Sequence, residues 1–197
     1  ITPDASASLD SFMIALSLIA VVYIGFVALV QQDMKKLIAY SSISHMGFVT
    51  LGLFAMFDIY AGTSNWNDAA MGIEGAMVQM ISHGFISGAM FLCVGVLYDR
   101  LHSREISSYG GLFGYAPGLA SLMTIFMASL AGIPPLGGWF GKFTAFQALI
   151  SAGTGWSYAL AVVGAVNSVV AFGYYGSILR EMWMKPAPHG DTAPVVV

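Results

Sequence analysis

Three ionisable side chains fall inside apolar runs of this sequence: Lys142, His83 and His45. Lys142 sits in GGWFGKFTAF and is expected to be held among Phe140, Phe143 and neighbouring apolar helices, where it loses hydration. A lysine ammonium removed from water can both gain and lose its proton, the property a proton relay needs. An ionisable residue inside a membrane span is rare and reads as functional by default. The alternative is a lysine that lays its stem along lipid and keeps its head at the interface. His83 lies in GAMVQMISHGFISGAMF, where Ser82, Gly84, Ser87 and Gly88 make the helix small and polar enough to pack tightly or admit water. His45 lies in IAYSSISHMGFVTLG, after Tyr40, Ser41, Ser42 and Ser44, whose hydroxyls could hold water beside it. Imidazole titrates near neutral pH and can pass a proton between its two nitrogens. For both histidines the alternative is a packing role, with the ring bonded to a neighbouring helix.

Other chemistries find no support. No cluster of His, Glu and Asp has metal-ligand spacing. The single Cys93, in an apolar run, allows neither a disulfide framework nor a Cys-based metal site and reads as a small hydrophobe. Neither a Walker motif nor a GxGxxG fingerprint is present, so no cofactor is expected to be bound by this chain. Net charge is -3 with no basic block, and nucleic acid is not an expected partner.

The elements that must position the three residues are apolar helices. Hydrophobic residues make up 57% of the chain and charged ones 9%, against about 25% charged in an average soluble domain. Mean hydropathy is +0.77. A spanning helix needs roughly 20 largely apolar residues. Stretches 11–30, 37–57, 75–98 and 156–183 qualify, and two shorter runs, 117–133 and 139–150, flank the motif GIPPLGG. The loops alternate in charge. Residues 31–36 carry Lys35 and Lys36, residues 58–74 are acidic, residues 99–105 carry Arg100 and Arg104, and the last run ends with Arg180, Glu181 and Lys185. Cytoplasmic loops are the basic ones. Placing Arg180 and Lys185 inside requires 117–150 to cross once, which predicts a discontinuous helix and five crossings. Pro134 and Pro135 lack N–H groups and the flanking glycines relax the backbone, leaving unpaired polar groups at membrane depth. Such groups are tolerated only where protein or water covers them, and broken helices at the midplane recur as ion-binding devices. A structural kink is the alternative. The expected fold class is therefore all-α: a polytopic transmembrane helix bundle, one membrane domain over 1–197, with one helix broken at GIPPLGG. The opening ITPDASASLD has no basic region before an apolar run, so it is not a signal peptide, and the chain reads as an internal segment of a longer one.

The motifs DMKKLIAYSSISHMGF and GAMVQMISHGFISGAMFLCVGVLYDRLHSREISSYGGL, within residues 10–112, resemble chain M of NADH-quinone oxidoreductase, the respiratory complex I. SLAGIPPLGGWFGKFTAFQALI and AVNSVVAFGYYGSILREMWMKPAP are more similar to chain N of the same complex. Both belong to its antiporter-like membrane subunits, which are related to the large subunits of Mrp-type sodium/proton antiporters. The resemblance implies a proton-translocating subunit with a discontinuous helix. It matches His45 and His83 to the family's central-axis histidines and Lys142 to the ionisable residue of the broken helix. Chain M carries a glutamate at that place and chain N a lysine.

The function expected on this basis is the exit half of a proton pathway in NADH:quinone oxidoreductase, with redox chemistry in other subunits. The expected partners are the other membrane subunits of complex I and the lipid bilayer. The expected location is the cell inner (plasma) membrane, as a multi-pass protein. The rival readings are an Mrp-type antiporter subunit and a structural membrane subunit with a dry interior.

Overall fold

The computed structural model describes residues 3–187. A short helix α1 (Pro3–Ser8) leads into three long ones: α2 (Asp10–Leu29), α3 (Met34–Thr63) and α4 (Trp66–Leu101). A 3-10 turn (Ile106–Tyr109) and the one-turn α5 (Leu112–Tyr115) connect to α6 (Pro117–Ala131) and α7 (Gly137–Ser151), and α8 (Gly155–Met184) closes the bundle. No strand occurs among the described residues. α2, α3, α4 and α8 are each long and apolar enough to cross a membrane.

Polar side chains fix where α3, α4 and α8 begin. The Asp33 carboxylate accepts from Lys36 N at 3.0 Å and the Asn65 side chain from Asn67 N at 3.0 Å. Thr154 and Ser157 form a reciprocal capping box at the start of α8. The caps lie outside the apolar windows, so α3 and α4 extend beyond the expected 37–57 and 75–98. A helix of 30 residues is about 45 Å long, more than the roughly 30 Å of a hydrocarbon core.

The outer surface differs from that of a water-soluble protein. Phe12, Ile19 and Tyr23 on α2, Phe85 and Leu92 on α4, and Val162, Val169 and Phe172 on α8 are exposed. His45, Gln79, His83, Lys142 and Asn167 are buried. An outer surface of large apolar residues around a partly polar interior suits a lipid surround.

The basic segments gather at one end. Met34 N donates to Arg104 O (2.8 Å) and Ile106 N to Gln32 O (3.0 Å), clipping the two connections together. Lys35 and Arg104 both lie over the Tyr98 ring, at 4.6 and 5.4 Å from its centre. Gly111 N donates to Glu181 O at 3.2 Å, and the Glu181 carboxylate accepts from Lys185 at 2.6 Å. In this connection Tyr109 has its phenol pushed up to about 12, by burial first and then by the Asp33 carboxylate. It therefore keeps its proton and donates to Ser103 O at 3.0 Å. At the opposite end Gly62 lies against Ala152 and Thr154. The segment made of α6 and α7 thus begins beside the basic connections and finishes beside the α3–α4 turn.

Candidate functional site

Helix α6 ends where its sequence requires. Gly132 takes the left-handed conformation at φ 91° that only glycine adopts freely. Its N–H bonds Ala128 O and Ser129 O, and Ile133 N also bonds Ala128 O. Four residues beyond Leu130 and Ala131 stand Pro134 and Pro135, which have no N–H to give. The Leu130 and Ala131 carbonyls are therefore left without helical partners. Helix α7 restarts at Gly137 and is seated on the end of α6. Gly138 N donates to Ser129 Oγ at 3.2 Å, and a Cβ at Gly138 would collide with Ser129 O. Only glycine fits there.

Lys142 stands one turn into α7. Side chains on a helix lean toward its N-terminus, which aims this one back at the end of α6. Its ammonium donates to Leu130 O at 3.1 Å and to Ala131 O at 3.2 Å. The side chain is 3% exposed. The expected surround of Phe140 and Phe143 is corrected: both are about half exposed, and they flank Trp139 on the outer face of α7. Residues one and two positions apart do not share a helix face. The aromatic group near the ammonium is Phe48 of α3, with its ring centre 5.7 Å away.

The two histidines meet between α3 and α4. These helices cross backbone to backbone at Gly52 and Gly72, where a Cβ on either would lie under 3 Å from the other's carbonyl oxygen. That approach brings the His45 and His83 rings to 5.5 Å, edge to face. His45 is fully buried and His83 is 6% exposed. His45 Nε2 pairs with Tyr175 Oη at 3.3 Å, Tyr175 Oη donates to Ser41 Oγ at 2.8 Å, and Ser41 Oγ donates to Ile38 O. The Lys142 ammonium is within electrostatic reach of both imidazoles. Gln79, one turn from His83 on α4, packs its backbone and Cβ on Gly141 beside Lys142. Gln79 Oε1, Ser82 Oγ and the Nδ1 atoms of His45 and His83 are buried without a protein hydrogen bond among the described residues.

The hydroxyls expected beside His45 divide. Ser41 reaches it through Tyr175. Ser44 instead accepts from Asn167 Nδ2 at 3.0 Å and donates to Val21 O at 2.9 Å. Ser42 pairs with Ser87 at 3.2 Å, and Tyr40 packs on the apolar core. Gln79 and Tyr175 were not singled out in the sequence. An amide or phenol in an apolar run has no charge to mark it, and only the tertiary approach of α7 and α8 reveals their place. No His, Cys, Asp and Glu grouping among the described residues could hold a metal ion.

Residues 2–168 match the family model described as NADH:quinone oxidoreductase/Mrp antiporter, TM. The chain belongs to this family. It is 43% identical over 166 residues to NADH-quinone oxidoreductase subunit M of Rhodobacter capsulatus, covering 84% of this chain and 30% of that protein. It is also 34% identical over 169 residues to NADH-quinone oxidoreductase subunit N 2 of Sorangium cellulosum, covering 85% of this chain and 31% of the relative. The chain thus spans about a third of the length of these relatives. Likeness to both M and N is present, and the subunit M match extends well beyond residues 10–112. The fold is also that of a chain in the Mrp complex from Dietzia sp., with TM-score 0.80 and 21% identity over 93% of this chain and 32% of that one. The chain is a multi-pass membrane protein of this family.

Proposed function

We propose that this chain supplies the exit half of a proton pathway in a membrane subunit of an NADH:quinone oxidoreductase complex. The observation that carries the reading is a buried lysine with no carboxylate partner among the described residues, its ammonium held by two main-chain carbonyls at a helix interruption. A permanent structural charge in such a place would ordinarily be paired with an opposite one. Two carbonyls stabilise the charged form without fixing it, so a proton can both arrive and leave. In this reading α6 and α7 are two halves of one crossing and the interruption lies at membrane depth, where Leu130, Ala131 and Lys142 are buried and Pro134 and Pro135 are exposed.

The proton passes between Lys142, the histidine pair and Tyr175. Buried polar atoms are ordinarily satisfied. Water is the fitting partner for Gln79 Oε1, Ser82 Oγ and the imidazole Nδ1 atoms, and it connects α7 to the histidines. Tyr175 and Ser41 join His45 Nε2 from the basic, cytoplasmic end of the bundle, so a proton reaches the histidines from that side and leaves through Lys142. The chain's neighbours are other membrane subunits of complex I and lipid, its membrane is the cell inner membrane, and redox groups are held elsewhere in the complex. A second reading, a subunit of an Mrp-type sodium/proton antiporter, is favoured by the family description and the Mrp fold likeness. It uses the same site and differs in the ion carried and in the partner set.

A structure of the complete subunit in its assembly, at a resolution that shows water, tests the pathway. Ordered waters are expected between Lys142 and His83, bonded to Gln79 Oε1 or Ser82 Oγ. A dry contact there, with Lys142 turned to the headgroups, would contradict the reading.

A further inference from the structure

We propose that Pro134 and Pro135 are positioning residues for Lys142, acting through the N–H groups they lack. This deepens the reading of Lys142 as a proton carrier and rests on it for its functional meaning. In an uninterrupted helix Leu130 O would accept from residue 134 and Ala131 O from residue 135. Both positions are proline, so neither donor exists. The Lys142 ammonium donates to these same two carbonyls, at 3.1 and 3.2 Å. Ser129 O, the next carbonyl toward the start of α6, is taken by Gly132 N at 3.0 Å. The lysine thus completes the last two unpaired positions at the end of the helix, where the helix dipole also favours a cation.

A second observation bears on the same point. Gly132, between the carbonyls and the prolines, lies against the lysine stem: a Cβ there would be 3.3 Å from Lys142 Cδ and 3.4 Å from Nζ. The bare glycine lets the ammonium reach both oxygens at once. The prolines and the lysine are therefore one unit. The prolines do more than bend the chain: they reserve two acceptors for the cation. An alanine at 134 or 135 would bring back a competing N–H, and the ammonium would lose an acceptor.

The test is a double-mutant cycle in the complete, membrane-assembled complex. The variants are P134A/P135A, K142M and the triple P134A/P135A/K142M. Proton pumping per assembled complex and thermal stability of the purified complex are measured for each. P134A/P135A is expected to lower pumping about tenfold, the scale set by hydrogen bonds to a charged group. In the K142M background the same two changes are expected to raise thermal stability, because the restored N–H groups satisfy carbonyls that K142M leaves unpaired. With Lys142 present they lower it. A purely structural role for the prolines would give the same stability change in both backgrounds, and that result overturns the proposal. So does unchanged pumping by P134A/P135A. Full pumping by K142M would remove the proton-carrier reading, yet the opposite-signed stability changes would still stand as evidence for the positioning unit.

Discussion

A buried cation held by main-chain carbonyls, without a counter-charge among the described residues, is the feature around which the side-chain chemistry turns. Lys142, His83, His45 and Tyr175 lie on four different helices, and each offers a proton-bearing atom to the interior. Their contributions are expected to be unequal. The Lys142 ammonium is within electrostatic reach of His83, so His83→Ala should lower pumping by the complete complex at least about tenfold, in the range of lost proton-transfer groups. Tyr175→Phe removes the hydroxyl that joins His45 to Ser41 and should cost about 1 kcal/mol of stability, one neutral hydrogen bond. Its effect on pumping should be smaller than that of His83→Ala, because water can bridge the gap. Pumping per assembled complex, with a thermal melt on the same sample, checks both. Equal loss in the two variants would remove the ordering. Lys142 and the histidines were legible in the sequence because a charge or imidazole in an apolar run is costly and stands out. Phe140 and Phe143 were misplaced because adjacency in sequence is not adjacency on a helix. Phe48, which does face the ammonium, is almost a hundred positions away and comes from another element.

At the scale of elements, the interruption between α6 and α7 does the positioning. The prolines and glycines of GIPPLGG announced that a helix would stop there. They did not announce how the two pieces would seat, which depends on Gly138 lying against the Ser129 carbonyl. A side chain at 138 meets backbone that cannot move aside. Gly138→Val should therefore destabilise the subunit by about 3 kcal/mol or more, the upper range of overpacking. The expected readout is loss of assembled complex in membranes, rather than assembled complex with poor pumping. Normal assembly would show that α7 can ride away from α6, and the lysine geometry would then be less constrained than described. The long helices were legible from hydropathy, but their ends were not. Asp33, Asn65 and Thr154 set the starts by capping, outside the window that hydropathy measures.

The whole molecule is a bundle with its basic connections at one end. The charge alternation of the loops points to this arrangement, and the hydrogen bonds of Met34 with Arg104 and of Gly111 with Glu181 hold the basic connections together. Cysteines placed singly in 31–36, 99–105 and 180–185 should react with an impermeant thiol reagent from the cytoplasmic side, and those in 63–65 and 152–154 from the other. Reaction of 152–154 from the cytoplasm would mean that α6 and α7 form a hairpin rather than one crossing. Membership of the family fits a place within a larger assembly, but no sequence pattern in this chain could show the route by which α7 and α4 bring Lys142 to the histidines.

Proton pumping by complete complexes carrying Lys142→Ala or Lys142→Arg, reconstituted in vesicles and normalised to assembled complex, tests Lys142 as the proton carrier. Alanine removes the titrating group, and arginine keeps a charge that never leaves. Both are expected to assemble and to pump at least about tenfold less than the unaltered complex, the scale of a lost proton-transfer group. Full pumping by Lys142→Ala would contradict a proton-carrying role and leave Lys142 as a structural plug at the end of α6.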